Sequence, residues 1–156
     1  MGWGILSCAL AGALVLLLLS AGIEDARRRE IANWKNAAIA MMAPAWWFVQ
    51  GYGLGDAAIQ FGIALAVFAV FVGAFHFGWM GGGDVKMIGA LALWMPIQPL
   101  LFMLTVMSVI GGVLTLIMML DHWRRKAPGA VETPYGVAIA MASMIALSEP
   151  IFNQFA

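Results

Sequence analysis

The chain has 156 residues, 63% hydrophobic and only 10% charged, with a mean hydropathy of +0.93 and no net charge. A soluble domain carries about a quarter charged residues, so one aqueous core cannot hold this much apolar surface and the bilayer has to solvate it. Zero net charge argues against nucleic acid as a partner, and a lone Cys8 excludes a disulfide framework or a Cys-based metal site.

Read in chain order, the apolar lengths predict six spans, at 3–23, 36–52, 57–78, 83–97, 100–120 and 134–150, against a bilayer core of about 30 Å. The first run is followed, not preceded, by Arg27-Arg28-Arg29. That order describes a retained helix with its N-terminus outside, not a cleaved leader. Glu24 and Asp25 stand where this first run ends. Pro44 in the second span predicts a kink, and His76 near the end of the third reads as an interfacial side chain. The fourth span is short: Met87 to Pro96 gives only about 15 Å of helix. It must therefore begin earlier, near Gly81-Gly82-Gly83, or lie below the inner interface. A non-helical glycine entry at that depth requires protein or water around it.

Charge predicts the orientation. All eight basic residues (Arg27, Arg28, Arg29, Lys35, Lys86, Arg124, Arg125, Lys126) fall on alternate connections, and the other face carries only Asp56 and Glu149. The positive-inside rule then makes 24–35, 79–86 and 121–133 cytoplasmic, with both termini outside. Trp34, Trp79 and Trp123 are expected at the inner boundary, and Trp3, Trp46, Trp47 and Trp94 at the outer one. The expected fold is an all-α polytopic membrane protein of six transmembrane helices, one domain over 1–156 with no separate soluble domain. Asp25 and Asp84 then share the cytoplasmic face.

Between Ala57 and Leu120 the only charged residues are Asp84 and Lys86. An acid within a membrane segment is costly and marks a functional site by default. Two carboxyl groups a few ångströms apart cannot both ionise easily, so they share one proton. The ionised one can take a proton from water while the other donates to a peptide carbonyl, which is aspartic proteolysis. Simpler readings exist. Asp25 stands four residues before Arg29 and Glu24 four before Arg28, the spacing of ordinary helical ion pairs. A proton-coupled transporter using the acid, or an assembly scaffold without chemistry, would also accommodate these residues.

Three segments carry a resemblance. Asp25-Ala-Arg-Arg-Arg-Glu-Ile-Ala-Asn33 resembles the D-x-R-x-x-x-I-P-N segment of type IV prepilin peptidases. Gly81-Gly-Gly-Asp84-Val-Lys86 is similar to their GxGD motif. Thr133-Pro-Tyr-Gly-Val-Ala-Ile139 resembles the opening of the last helix in the short subfamily linked to Flp (tight-adherence) pili. The resemblance implies a bacterial inner-membrane aspartic peptidase with Asp25 and Asp84 as the catalytic pair and no metal or cofactor. It implies backbone support from Gly81 and Gly83, and a substrate-positioning role for Arg29, Asn33 and Lys86. The implied substrate is a membrane-held prepilin or pseudopilin with a basic leader, cut after a glycine at the cytoplasmic face. Ala32 stands where the family commonly has proline. The paired CxxC zinc motif of the larger, bifunctional members is absent, so no methyltransferase activity is expected.

Overall fold

The computed structural model describes residues 4–126 and 133–152, the last four as backbone only. Six helices follow one another: α1 (Ile5–Arg28), α2 (Asn33–Val49), α3 (Leu54–His76), α4 (Gly82–Ala92), α5 (Ile97–Arg125) and α6 (Tyr135–Phe152). No strand occurs among the described residues. Three helices, α1, α3 and α5, are long and apolar enough to cross a membrane, and Tyr135–Ser148 is a shorter apolar helix. This is an all-helical membrane protein.

Helix boundaries shift from the hydropathy reading in one respect that matters. α1 continues beyond its apolar run to Arg28, so Glu24 and Asp25 lie inside the helix and not after it. Hydropathy marks where the greasy run stops, whereas backbone hydrogen bonding carries the helix onward until Arg29 turns left-handed at φ 58°. The Arg29 N–H donates to the Asp25 carbonyl oxygen at 2.9 Å, and only 29–32 separate α1 from α2.

α4 is the centre of the molecule. It packs against α2, α3 and α6, while α1 covers α2 and α6 and α5 packs on α6. Met87, Ile88, Leu91 and Ala92 are fully enclosed. At 11 residues the helix spans about 16 Å, roughly half a bilayer core. It begins at Gly82, within the glycines, the first of the two alternatives that its short apolar length left open. Gly82 and Gly83 are helical, however, and only Gly81 is extended (φ −71°, ψ 147°). The expected non-helical entry is therefore a single residue.

A helix that stops inside protein leaves carbonyl groups that water cannot reach, and these need partners. Gln60 of α3 donates from Nε2 to the carbonyls of Ala92 and Met95 at 2.6 and 2.7 Å, and Trp47 of α2 donates to that of Leu93 at 2.7 Å. Trp94 returns a bond to the Ile39 carbonyl at 2.8 Å. These contacts correct the outer tryptophan belt. Trp46 and Trp94 are buried and meet in a tilted contact with ring centroids 5.3 Å apart, so they pack the end of α4 and do not face an interface. Trp34, Trp79 and Trp123 are exposed. Trp3 lies outside the described residues.

Gln60→Leu removes the only donors on two of those carbonyls that the structure provides from α3. At about 1–3 kcal/mol for each of the two buried groups left unpaired, it lowers stability by about 2–6 kcal/mol. Thermal unfolding in detergent should show this as a clear drop in midpoint.

Candidate active site

Asp84 occupies the third position of α4, and its carboxyl group turns back over Gly81, the residue that precedes the helix. A Cβ on Gly81 would stand 3.1 Å from Asp84 Oδ2, so a side chain here would press on the carboxyl group. The same device occurs elsewhere in the chain. Gly53-Leu-Gly-Asp56 opens α3, and there the Gly53 N–H donates to Asp56 Oδ2 at 3.0 Å. An acid three residues after the cap satisfies an orphan amide and complements the helix dipole. Asp56 does only that, because it is exposed. Asp84 does it beside a second acid.

That second acid is Asp25. It is 5% exposed and opens the last turn of α1. The backbone amides of Gly136 and Val137, in the first turn of α6, face its carboxyl group. A helix N-terminus favours an anion placed there. Oδ2 is nevertheless enclosed and closes no hydrogen bond. The approach is tight: a Cβ on Gly136 would fall 2.8 Å from Asp25 Oδ2 and 2.9 Å from Asp25 Cβ. One turn along, a Cβ on Gly22 would lie 3.2 Å from Ala140 Cβ, so small residues bring α1 and α6 close at this end of their seam.

Asp25 and Asp84 line one polar cavity of about 310 Å³, together with Arg29, Glu30, Ile31, Asn33 and Gly81 to Gly83. The structure thus brings together every residue singled out from the sequence except Lys86. Lys86 stands just outside and donates from Nζ to Asn33 Oδ1 at 2.8 Å, tying α4 to α2.

Neither ion pair suggested by helical spacing forms. Glu24 pairs with Lys35 at 2.7 Å instead of Arg28, and Asp25 makes no ion pair with Arg29. Lys35, itself buried, also donates to the Ser20 carbonyl at 3.1 Å, and Glu24 accepts the Ala32 N–H at 3.3 Å. Asp25 feels the Arg29 charge through space without a direct ion pair, and Glu24 holds the 29–32 turn. That last contact gives meaning to Ala32. A proline at this position would fit the backbone (φ −60°) but would have no N–H to offer Glu24.

Ile31 was not singled out in the sequence. It is 8% exposed and wedges between the two acids' supports. Its Cβ would meet a Cβ on Gly83 at 3.3 Å, and its Cδ1 would meet one on Gly136 at 2.8 Å. One side chain thus sets the spacing of the α4 entrance and the α6 start. Asn36, also missed, donates from Nδ2 to the Gly83 carbonyl at 3.1 Å. A hydrophobic residue in a charged loop and an asparagine inside an apolar span were the available signals. Ile31→Ala leaves a void at this junction and costs about 2–5 kcal/mol of stability. Chemical or thermal unfolding measures it directly.

The described residues form no group of three His, Cys, Asp or Glu side chains able to hold a metal. What the cavity offers is a pair of carboxyl groups, Asp25 and Asp84, beside the side chains of Arg29, Glu30 and Asn33 and the glycine backbone of 81–83. Such a pair can hold a water and move protons to and from it.

Comparison with known proteins yields one finding. The model of a family described as the type IV leader peptidase family matches residues 12–116. That stretch spans most of α1, all of α2 to α4 and most of α5, with both acids and the glycine turn. No curated protein and no solved structure matches.

Proposed function

Because the chain belongs to the type IV leader peptidase family, we propose that it is an aspartic endopeptidase in which Asp25 and Asp84 activate a water molecule. The substrate is a prepilin or pseudopilin of the Flp type, with a basic leader and a membrane-held apolar segment, cut after the leader glycine. The observation that carries this reading is the meeting of the two acids in one polar cavity, each held by a helix N-terminus: Asp84 by that of α4, Asp25 by that of α6.

The chemistry follows from their shared proton. The ionised carboxyl takes a proton from water as the oxygen attacks the scissile carbonyl carbon. The protonated one donates to the carbonyl oxygen, giving a tetrahedral intermediate. Its collapse breaks the C–N bond: the departing amine takes up the proton gained from water, and the other carboxyl recovers its proton from a hydroxyl of the intermediate. Gly81 and Gly83 keep the backbone close to Asp84. Arg29, Asn33 and Lys86 position the substrate near the cavity mouth. The scheme uses no metal or cofactor.

All eight basic residues lie on one set of connections, which supports six membrane crossings with both termini outside and the cavity facing the cytoplasm. The membrane in question is the bacterial inner membrane. An acid-lined cavity at that face suits a basic leader. A proton-coupled transporter or a scaffold without chemistry would have no reason to belong to a peptidase family.

The test is direct. Purified protein in vesicles is incubated with a membrane-inserted prepilin, and the new N-terminus is identified by mass spectrometry. A cut immediately after the leader glycine is expected. A wild-type protein that leaves the prepilin intact, or cuts at unrelated sites, defeats the reading.

A further inference from the structure

A second cavity, of about 460 Å³, runs between α2, α3 and α4. Its walls are mostly apolar, with a floor of small residues (Ala37 and Ala40 on α2, Ala64 on α3, Gly89 and Ala90 on α4) between larger side chains, and Lys86 joins two asparagines as its polar lining. Small residues let another helix come close in a membrane, where van der Waals packing drives association. The rim is open, since Phe61 and Leu65 of α3 are each 57% exposed.

Two features give this groove an occupant. Asn33 lines both the groove and the acid cavity, so the two spaces meet at one side chain. Asn36 lies one helical turn further in, about 4.5 Å along α2. It is 4% exposed and lines the groove, and its Nδ2 is spent on the Gly83 carbonyl. Its Oδ1 is buried with no hydrogen-bond partner. A lone buried acceptor is costly until a donor arrives. A lipid acyl chain has no donor to offer. The first turn of a helical peptide has up to four unpaired N–H groups.

We propose that this groove seats the apolar segment on the C-terminal side of the scissile bond, its first turn giving an N–H to Asn36 Oδ1. The assignment rests on the reading of Asp25 and Asp84 as the hydrolytic pair. The scissile bond then lies beyond Asn33, in the acid cavity, and the leader extends away from the bilayer. The groove measures the substrate from its apolar side, so the cut falls at a set distance from the membrane.

Photo-crosslinking tests this in the full-length protein in vesicles. A benzophenone amino acid replaces Leu65 on the groove rim or, as a control, Val109, which is 62% exposed on α5. The probe is a synthetic peptide with a basic leader, a glycine and an apolar helix. An adduct containing the apolar helix is expected from position 65 and not from 109. Ala40→Phe, which narrows the groove, should raise KM for this peptide about tenfold, equivalent to ~1.4 kcal/mol of binding. If the wild type cleaves the peptide while both positions give equal adducts, or position 65 captures only lipid, the groove assignment is overturned and the peptidase reading stands. If the wild type does not cleave, both fall together.

Discussion

Asp84→Asn should lower the rate of leader cleavage by about 100- to 10,000-fold, the range for removing a positioned acid or base. Asparagine matches aspartate in shape, and its amide oxygen still reaches back toward Gly81, so α4 keeps its start. What disappears is the ability to hold and exchange the shared proton. Asp25→Asn should cause a loss of similar order for the same reason. The more demanding expectation concerns the pair. Groups that act as a unit give non-additive effects, so the double variant should be no slower than the slower single one. Single-turnover cleavage of a prepilin, with unfolding measured on the same samples, decides the matter. Wild-type rates in either single variant would break the pairing, and fully multiplicative losses would show two acids working independently.

Gly136→Ala is expected to be nearly as severe, although the residue carries no chemistry. A Cβ there falls 2.9 Å from Asp25 Cβ. Real Cβ atoms do not approach so closely, and Asp25 Cβ is fixed to the α1 backbone and cannot swing aside. The start of α6 must therefore move away, taking the Gly136 and Val137 amides from the carboxyl they face. Overpacking of this kind costs about 1–3 kcal/mol. A displacement of about 1 Å in a catalytic group can reduce the rate about 100-fold. Gly62→Ala is the control, since nothing lies within 4 Å of its added Cβ; it should be neutral. Equal behaviour of the two alanine variants would remove the close seam between α1 and α6 from the account of the site.

Much of this was legible in the residues. Six apolar runs became six helices, with the fourth as short as its hydropathy required. Asp25 and Asp84 reach one cavity, as their place beside the basic connections suggested. Other readings failed for local reasons. Spacing of four residues allowed Glu24 to pair with Arg28, but Lys35 arrives from the next helix and takes it at 2.7 Å. Trp46 and Trp94 look like interface residues by their place in the chain, yet they are needed to pack and pair the buried end of α4. Gln60 had the same explanation and no local signal beyond being polar in an apolar span.

Composition and patterning by themselves determined that this chain lives in a membrane, how many helices it forms, and that a glycine-flanked acid opens the fourth. These properties depend on neighbours along the chain, through hydropathy, helix spacing and charge. Charge patterning already assigned Asp84 and Asp56 to opposite faces. Only the tertiary structure decided what the same local device does in each, since both sit three residues after a glycine at a helix start. One is exposed, and the other shares a cavity with Asp25. It also decided the parts of Gly136 and Ile31, and the groove that meets the acids at Asn33. Each depends on side chains from separate helices packed within van der Waals contact, and such contacts leave no periodic trace in the order of residues.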